Sequence, residues 1–75
     1  MTAKDSAAFF LELSARIQAY LNSVGRPMEA GVLIKDFCKK NQHVRVADAE
    51  VALSLLLNQG VVVADPQMML ELEAA

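Results

Sequence analysis

The chain has 75 residues, of which 55% are hydrophobic, and its formal net charge is −2 at pH 7. This length predicts one small domain over residues 1–75, and the apolar content excludes intrinsic disorder. No stretch of about 18 uncharged apolar residues is present, so no membrane-spanning helix is expected. Cys38 is the only cysteine, which excludes an internal disulfide and favours a cytosolic location, or a nuclear one in a eukaryote.

A first helix is predicted over residues 6–24, and residues 1–5 are expected to fray. Apolar side chains spaced three and four apart place one stripe on a single helix face, formed by Phe10, Leu13, Ile17, Leu21 and Val24. Gly25 and Pro27 end this helix, because proline cannot continue it and glycine tolerates a left-handed turn. Phe9 flanks the stripe and Leu11 lies well away from it, so both are expected at the surface.

Two further helices are predicted, over residues 30–41 and 47–59. In the second helix the apolar spacing puts Leu33, Ile34 and Phe37 in the core. In the third helix the core side is predicted to consist of Ala49, Leu53, Leu56 and Leu57. Gly60 ends the third helix, and a β-hairpin follows.

The hairpin is predicted from a short valine-rich segment, a polar break at residues 65–67 and an alternating segment. Strict alternation would place Val61 and Val63 on the inner side of the first strand and Leu70 and Leu72 on that of the second. The same alternation exposes the two glutamates of the second strand, Glu71 and Glu73.

The order of helix, short strand, helix, turn, helix and hairpin over residues 17–72 resembles the winged-helix superfamily. Met28 stands where such domains have a short edge strand, and residues 53–63 are similar to the end of their third helix. The resemblance implies a mainly α (α+β) fold of three helices with a C-terminal two-stranded β-hairpin, the wing. Among these domains the chain resembles the protein-binding ones of multisubunit replication and transcription assemblies. Another three-helix bundle with a C-terminal hairpin is the alternative architecture.

Catalysis, metal binding and cofactor binding are not expected. His43 is the only histidine, and Cys38 lies on the core side of its helix, where a cysteine usually serves as a small apolar residue. A metal site needs three or four ligands at suitable spacing, and none is visible. The three glycines are isolated from one another, so there is no phosphate-binding loop.

Nucleic-acid binding is favoured by one segment and opposed by another. Residues 35–45 contain the cationic cluster of Lys35, Lys39, Lys40, His43 and Arg45. This cluster is either a solvated surface, a contact for an acidic protein or a contact for phosphate groups. No Lys, Arg or His follows Arg45, and the start of the third helix carries Asp48 and Glu50. Base recognition in this fold class uses that helix, so at most weak nucleic-acid binding is expected.

Surplus apolar side chains predict a protein interface. Val51 and Leu55 are predicted to lie on the side of the third helix away from the core, and Val62 and Met69 to point outward from the hairpin. Such a patch on a small domain commonly marks a binding surface. If the interface lies elsewhere, Phe9 and Leu11 on the first helix are the next candidates.

The sequence is therefore interpreted as that of a small protein–protein interaction module, an adaptor or regulator of a larger complex. Nucleic-acid machinery is one setting that this interpretation includes. The module's predicted partner is another protein chain, in either a hetero-oligomer or a homo-oligomer. No binding to a membrane is expected. The alternatives are a DNA-binding transcriptional regulator that uses residues 35–45, and a structural subunit or homodimer of an assembly.

Overall fold

The computed structural model describes the backbone of residues 3–73 and the side chains of residues 7–73. The element order is α1 (Ala3–Val24), β1 (Met28–Glu29), α2 (Ala30–Lys40), α3 (Val46–Asn58), β2 (Val62–Ala64) and β3 (Met69–Leu72). The predicted mainly α class with a C-terminal hairpin is confirmed. Helix α1 begins at Ala3, three residues before the predicted start at residue 6, whereas residues 1 and 2 lie outside the described part of the chain.

The three strands form one antiparallel sheet in the order β1-β3-β2. Met28 pairs with Leu70, and Val62 pairs with Leu72. Side chains that lie directly opposite each other in an antiparallel pair share a face of the sheet. Met28, Leu70 and Val62 are buried, so this face packs on the helices and closes the core.

The core lies between the three helices and the sheet, and α1 makes its most extensive contacts with α3. Its most deeply buried large side chains are Phe37, Ile17, Leu33 and Val62. Ala49 and Ala52 of α3 are also fully buried, and both belong to the core cluster. The prediction for Leu57 is wrong, because this side chain is 39% exposed. Leucines occupy so much of α3 that apolar spacing alone does not fix which side faces inward.

A glycine-terminated turn links α3 to the hairpin. Gly60 adopts a left-handed conformation with φ of 75°. Its N–H donates to the carbonyl of Leu57 at 3.2 Å, and the N–H of Val61 donates to the carbonyl of Leu56 at 3.0 Å. These two bonds are the pattern of a Schellman motif, which satisfies the last carbonyls of a helix. Val61 is therefore part of the helix cap, and the strand begins one residue later.

This cap explains why the predicted orientation of β2 is wrong. Val62, predicted to point outward, is fully buried in the core, whereas Val63, predicted to point inward, is only half-buried. Val61 is also half-buried, and it packs against the core from the helix cap. The predicted orientation of β3 is correct in that Leu70 is buried and Glu71 and Glu73 are exposed. Pairing of Val62 with Leu72 places both on the inner face.

The hairpin loop predicts a stabilising substitution at Met68. This residue has a left-handed φ of 64°, and its side chain is 71% exposed. Such a conformation costs a residue other than glycine about 1 kcal/mol or more. Met68→Gly should therefore raise the free energy of unfolding by roughly 0.5–1 kcal/mol, measured by urea titration. Met68→Val, which is β-branched, should lower it; the opposite order would contradict the observed loop conformation.

Candidate functional site

The predicted patch on α3 and the hairpin is not a continuous exposed surface. Val62 is fully buried, so its assignment to an interface is wrong. Leu55 and Met69 are half-buried, and Val51 alone of the four is well exposed, at 47%. The error follows from the helix cap, which shifts the inner face of β2 by one residue. Leu55 and Met69 retain only partial accessibility to a partner.

A different apolar surface lies between α2 and α3. It is an open groove of about 550 Å³, lined by Ala30, Gly31, Ile34, Lys35, Cys38, Val46, Glu50, Leu53, Ser54 and Leu57. Ile34 and Leu53 are buried and form its floor, whereas Val46 and Leu57 are 52% and 39% exposed. This set of residues is called the α2–α3 groove below.

The local sequence of each helix explains the groove. On α2, Ala30, Ile34 and Cys38 recur every fourth residue and share one side of the helix. On α3, Val46, Glu50, Leu53 and Leu57 recur at spacings of four, three and four, which also places them together. The small residues Ala30 and Gly31 leave open space on the α2 side of the groove. A Cβ atom added at Gly31 would contact only Glu29 Oε1, at 3.8 Å. The α3 spacing could have revealed the groove from the sequence if Leu57 had not been assigned to the core.

Opposite charges lie on the two sides of the groove. Lys35 belongs to the α2 side and Glu50 to the α3 side, and both side chains are exposed. Neither forms an ion pair among residues 7–73, where the ion pair present is Arg16 with Glu12 at 3.0 Å. The groove thus combines an apolar floor with one cation and one anion that have no charged partner in the described region.

Cys38 lies in the wall of the groove and is half-buried. Burial raises the pKa of the Cys38 thiol above its ordinary value, and the nearby carboxylate of Glu50 raises this pKa further. The thiol is therefore less ionised at neutral pH than a free cysteine, which is the reverse of what a nucleophilic cysteine needs.

The Glu50 contribution predicts a pH-dependent change in thiol reactivity. Removing the negative charge in Glu50→Gln should lower the Cys38 pKa and speed its alkylation at a fixed pH near 8, measured with a maleimide at low protein concentration. The raised folded-state pKa also contributes stability below the ordinary thiol pKa of about 8.5, and this contribution is lost as pH rises toward the folded-state pKa. Glu50→Gln should reduce that loss. An unchanged pH profile of alkylation would contradict the proximity of the carboxylate.

The predicted cationic cluster is exposed but divided. Lys35 lies at the α2–α3 groove, whereas Lys40 Nζ lies 5.2 Å from the ring centroid of Tyr20 on α1. The Tyr20 ring in turn contacts Phe37 edge to face at 6.0 Å. This cation–π contact was not predicted from the sequence. The remaining members, Lys39, His43 and Arg45, are all exposed.

The exposed surface of α3 offers no cation for base recognition. Its outward residues include Ala47, Glu50, Val51 and Ser54. Arg45 precedes the helix as its N-cap residue and makes no side-chain capping hydrogen bond. Since α3 itself contains no Lys, Arg or His, Arg45 is the basic residue closest to it along the chain.

The alternative surface on α1 has the predicted exposure. Leu11 is 58% exposed and Phe9 is 39% exposed. The Phe9 ring packs edge to face on Phe10 at 5.0 Å, and Phe9 also lines a shallow depression with His43 and Val44. These residues form a second, smaller apolar surface.

Within residues 7–73, no three His, Cys, Asp or Glu side chains come together in a way that could hold a metal ion. None of the helices in the described part of the chain is both long and apolar enough to cross a membrane.

Comparison with family models, with curated proteins and with solved structures finds no match to this chain.

Proposed function

We propose that this domain is a non-catalytic protein-interaction module of the winged-helix type, which binds another protein chain in the α2–α3 groove. It would act as an adaptor or regulator of a larger complex in the cytosol or nucleus. The observation that carries the proposal is the groove itself. It exposes the apolar side chains of Val46 and Leu57 above a buried apolar floor.

The winged-helix assignment is supported by the arrangement of the elements. A short strand after the first helix joins the C-terminal hairpin in the order β1-β3-β2, so the hairpin strand β3 is central. The helix pair α2 and α3 is joined by a short turn at residues 41–45. In DNA-binding members, the helix equivalent to α3 reads bases.

The charge on α3 favours a protein over DNA as the partner. Glu50 lines the groove and is exposed, and a carboxylate there would repel phosphate. An apolar groove between two helices suits an amphipathic segment of another protein, because apolar side chains gain free energy when they leave water.

DNA binding is the second candidate, because all five residues of the cationic cluster are exposed. We expect only weak, salt-sensitive binding, since these side chains provide few phosphate contacts and no contact to base edges. A fluorescence-anisotropy titration with random and selected duplexes tests this. Tight binding that distinguishes sequences at about 150 mM salt would contradict the proposal.

The proposal itself is tested by two matched leucine variants. Leu57→Glu places a charge in the groove, and Leu11→Glu places the same charge on the α1 surface. Both leucines are substantially exposed, so both variants should fold, as checked by thermal melts. Affinity purification from the native source, followed by mass spectrometry and a mass measurement of the eluted complex, should show loss of association for Leu57→Glu alone. Loss for Leu11→Glu alone would move the interface to α1.

A further inference from the structure

We propose that the occupant of the α2–α3 groove is a second copy of this chain, related by a two-fold axis, with Lys35 of each copy facing Glu50 of the other. This inference rests on the proposed function and specifies its partner. Charges of both signs also lie beside Phe9 on α1, but there Glu12 and Arg16 pair with each other at 3.0 Å. In the groove, Lys35 and Glu50 lie beside exposed apolar side chains and have no ion-pair partner among residues 7–73.

The charge arrangement makes the groove complementary to itself. A two-fold axis brings residue i of one copy against residue j of the other, and j against i. With a cation on α2 and an anion on α3, a two-fold arrangement that faces α2 of one copy with α3 of the other creates two equivalent ion pairs. An arrangement that faced α2 with α2 would instead oppose like charges.

The shape of the groove is consistent with the same arrangement. Leu57 projects from the α3 side, and the wall formed by Ala30 and Gly31 on the α2 side is low. When α3 of one copy faces α2 of the other, the exposed leucine of each copy enters the space above these small residues. Two apolar contacts are then formed beside the two ion pairs, and both leucines leave water.

The size of the domain gives association a further advantage. A chain of 75 residues buries a smaller fraction of its surface than a larger protein and has a correspondingly small core. Covering the groove in a dimer adds apolar burial and stabilises the folded state by mass action. Thermal stability of the wild-type chain should therefore rise with protein concentration.

Charge reversal tests the pairing directly. Lys35→Glu and Glu50→Lys each convert both intermolecular pairs into like-charge contacts, so each should weaken dimerisation by roughly tenfold or more in sedimentation equilibrium. The double variant K35E/E50K recreates both pairs with the charges exchanged and should restore most of the affinity. Glu71→Lys, an exposed reversal on β3 outside the groove, is the matched control and should leave the dimer unchanged. Thermal melts confirm that each variant is folded.

The oligomeric state of the chain and its dependence on Leu57 separate this inference from the proposed function. A chain that remains monomeric at concentrations of hundreds of micromolar overturns the inference, as does a dimer that either single reversal leaves intact. Two weakened single variants without restoration in the double variant overturn the proposed pairing. If the chain is monomeric but captures a different protein in a Leu57-dependent way, the proposed function stands and this inference fails. If neither association depends on Leu57, both fail.

Discussion

Leu56→Ala should destabilise the domain by about 2–5 kcal/mol, whereas Leu57→Ala should cost less than about 1 kcal/mol. The two residues are adjacent on α3, but Leu56 is 2% exposed and Leu57 is 39% exposed. Truncating the buried leucine leaves a cavity in the core, whereas truncating the exposed one leaves the core intact. Because the total stability of a domain of this size is about 4–11 kcal/mol, the first change should unfold a measurable fraction of the protein.

Urea titration of both variants at low protein concentration, where the chain is monomeric, measures this difference. Equal losses of stability would show that α3 is rotated relative to the described structure. The same comparison supports the groove, because Leu57 can contribute to a partner only if the monomer does not need it for its own core.

Val62→Glu should have the larger effect, a loss of several kcal/mol that leaves the chain largely unfolded at neutral pH. The valine side chain is fully buried on the inner face of β2, so the substitution places an unpaired carboxylate in the core. Ala64→Glu is the matched control, because Ala64 lies on the same face two residues later but is exposed. This control should remain folded.

Circular dichroism and urea titration at neutral pH compare the two glutamate variants. Part of the lost structure in Val62→Glu should return below about pH 5, because protonation removes the buried charge. If Val62→Glu folds normally and Val63→Glu does not, β2 has the orientation opposite to that observed.

The helical part of the fold is predictable from the sequence because the residues that end each helix are easy to recognise. Gly25, Gly60 and Pro27 fix where helices end, and the apolar spacing of α1 and α2 identifies the residues that are buried. Leu13, Ile17, Leu33 and their neighbours accordingly lie in the core. These predictions depend only on residue types and on their spacing within one helix, and both can be read from the sequence.

The inner faces of α3 and β2 could not be predicted, because apolar spacing alone does not determine them. Leu53, Leu55, Leu56 and Leu57 make α3 apolar on several sides, and the structure buries the side that carries Ala49, Ala52, Leu53 and Leu56. In β2, the three consecutive valines are all apolar, so alternation of apolar and polar residues cannot show which of them face the core. The Schellman hydrogen bonds place Val61 in the helix cap, and β2 then begins at Val62, whose side chain is fully buried.

The most direct test of the α2–α3 groove as a binding surface uses Cys38, the only cysteine of the chain and a residue of the groove wall. Its alkylation rate is compared between the dilute isolated chain, the associated chain and the Leu57→Glu variant, with the denatured chain as the reference for full access. A docked chain should slow alkylation by roughly tenfold or more, because interface cores are packed as densely as protein interiors, and Leu57→Glu should abolish this protection. Equal alkylation rates in the isolated and associated chain would contradict binding at the α2–α3 groove.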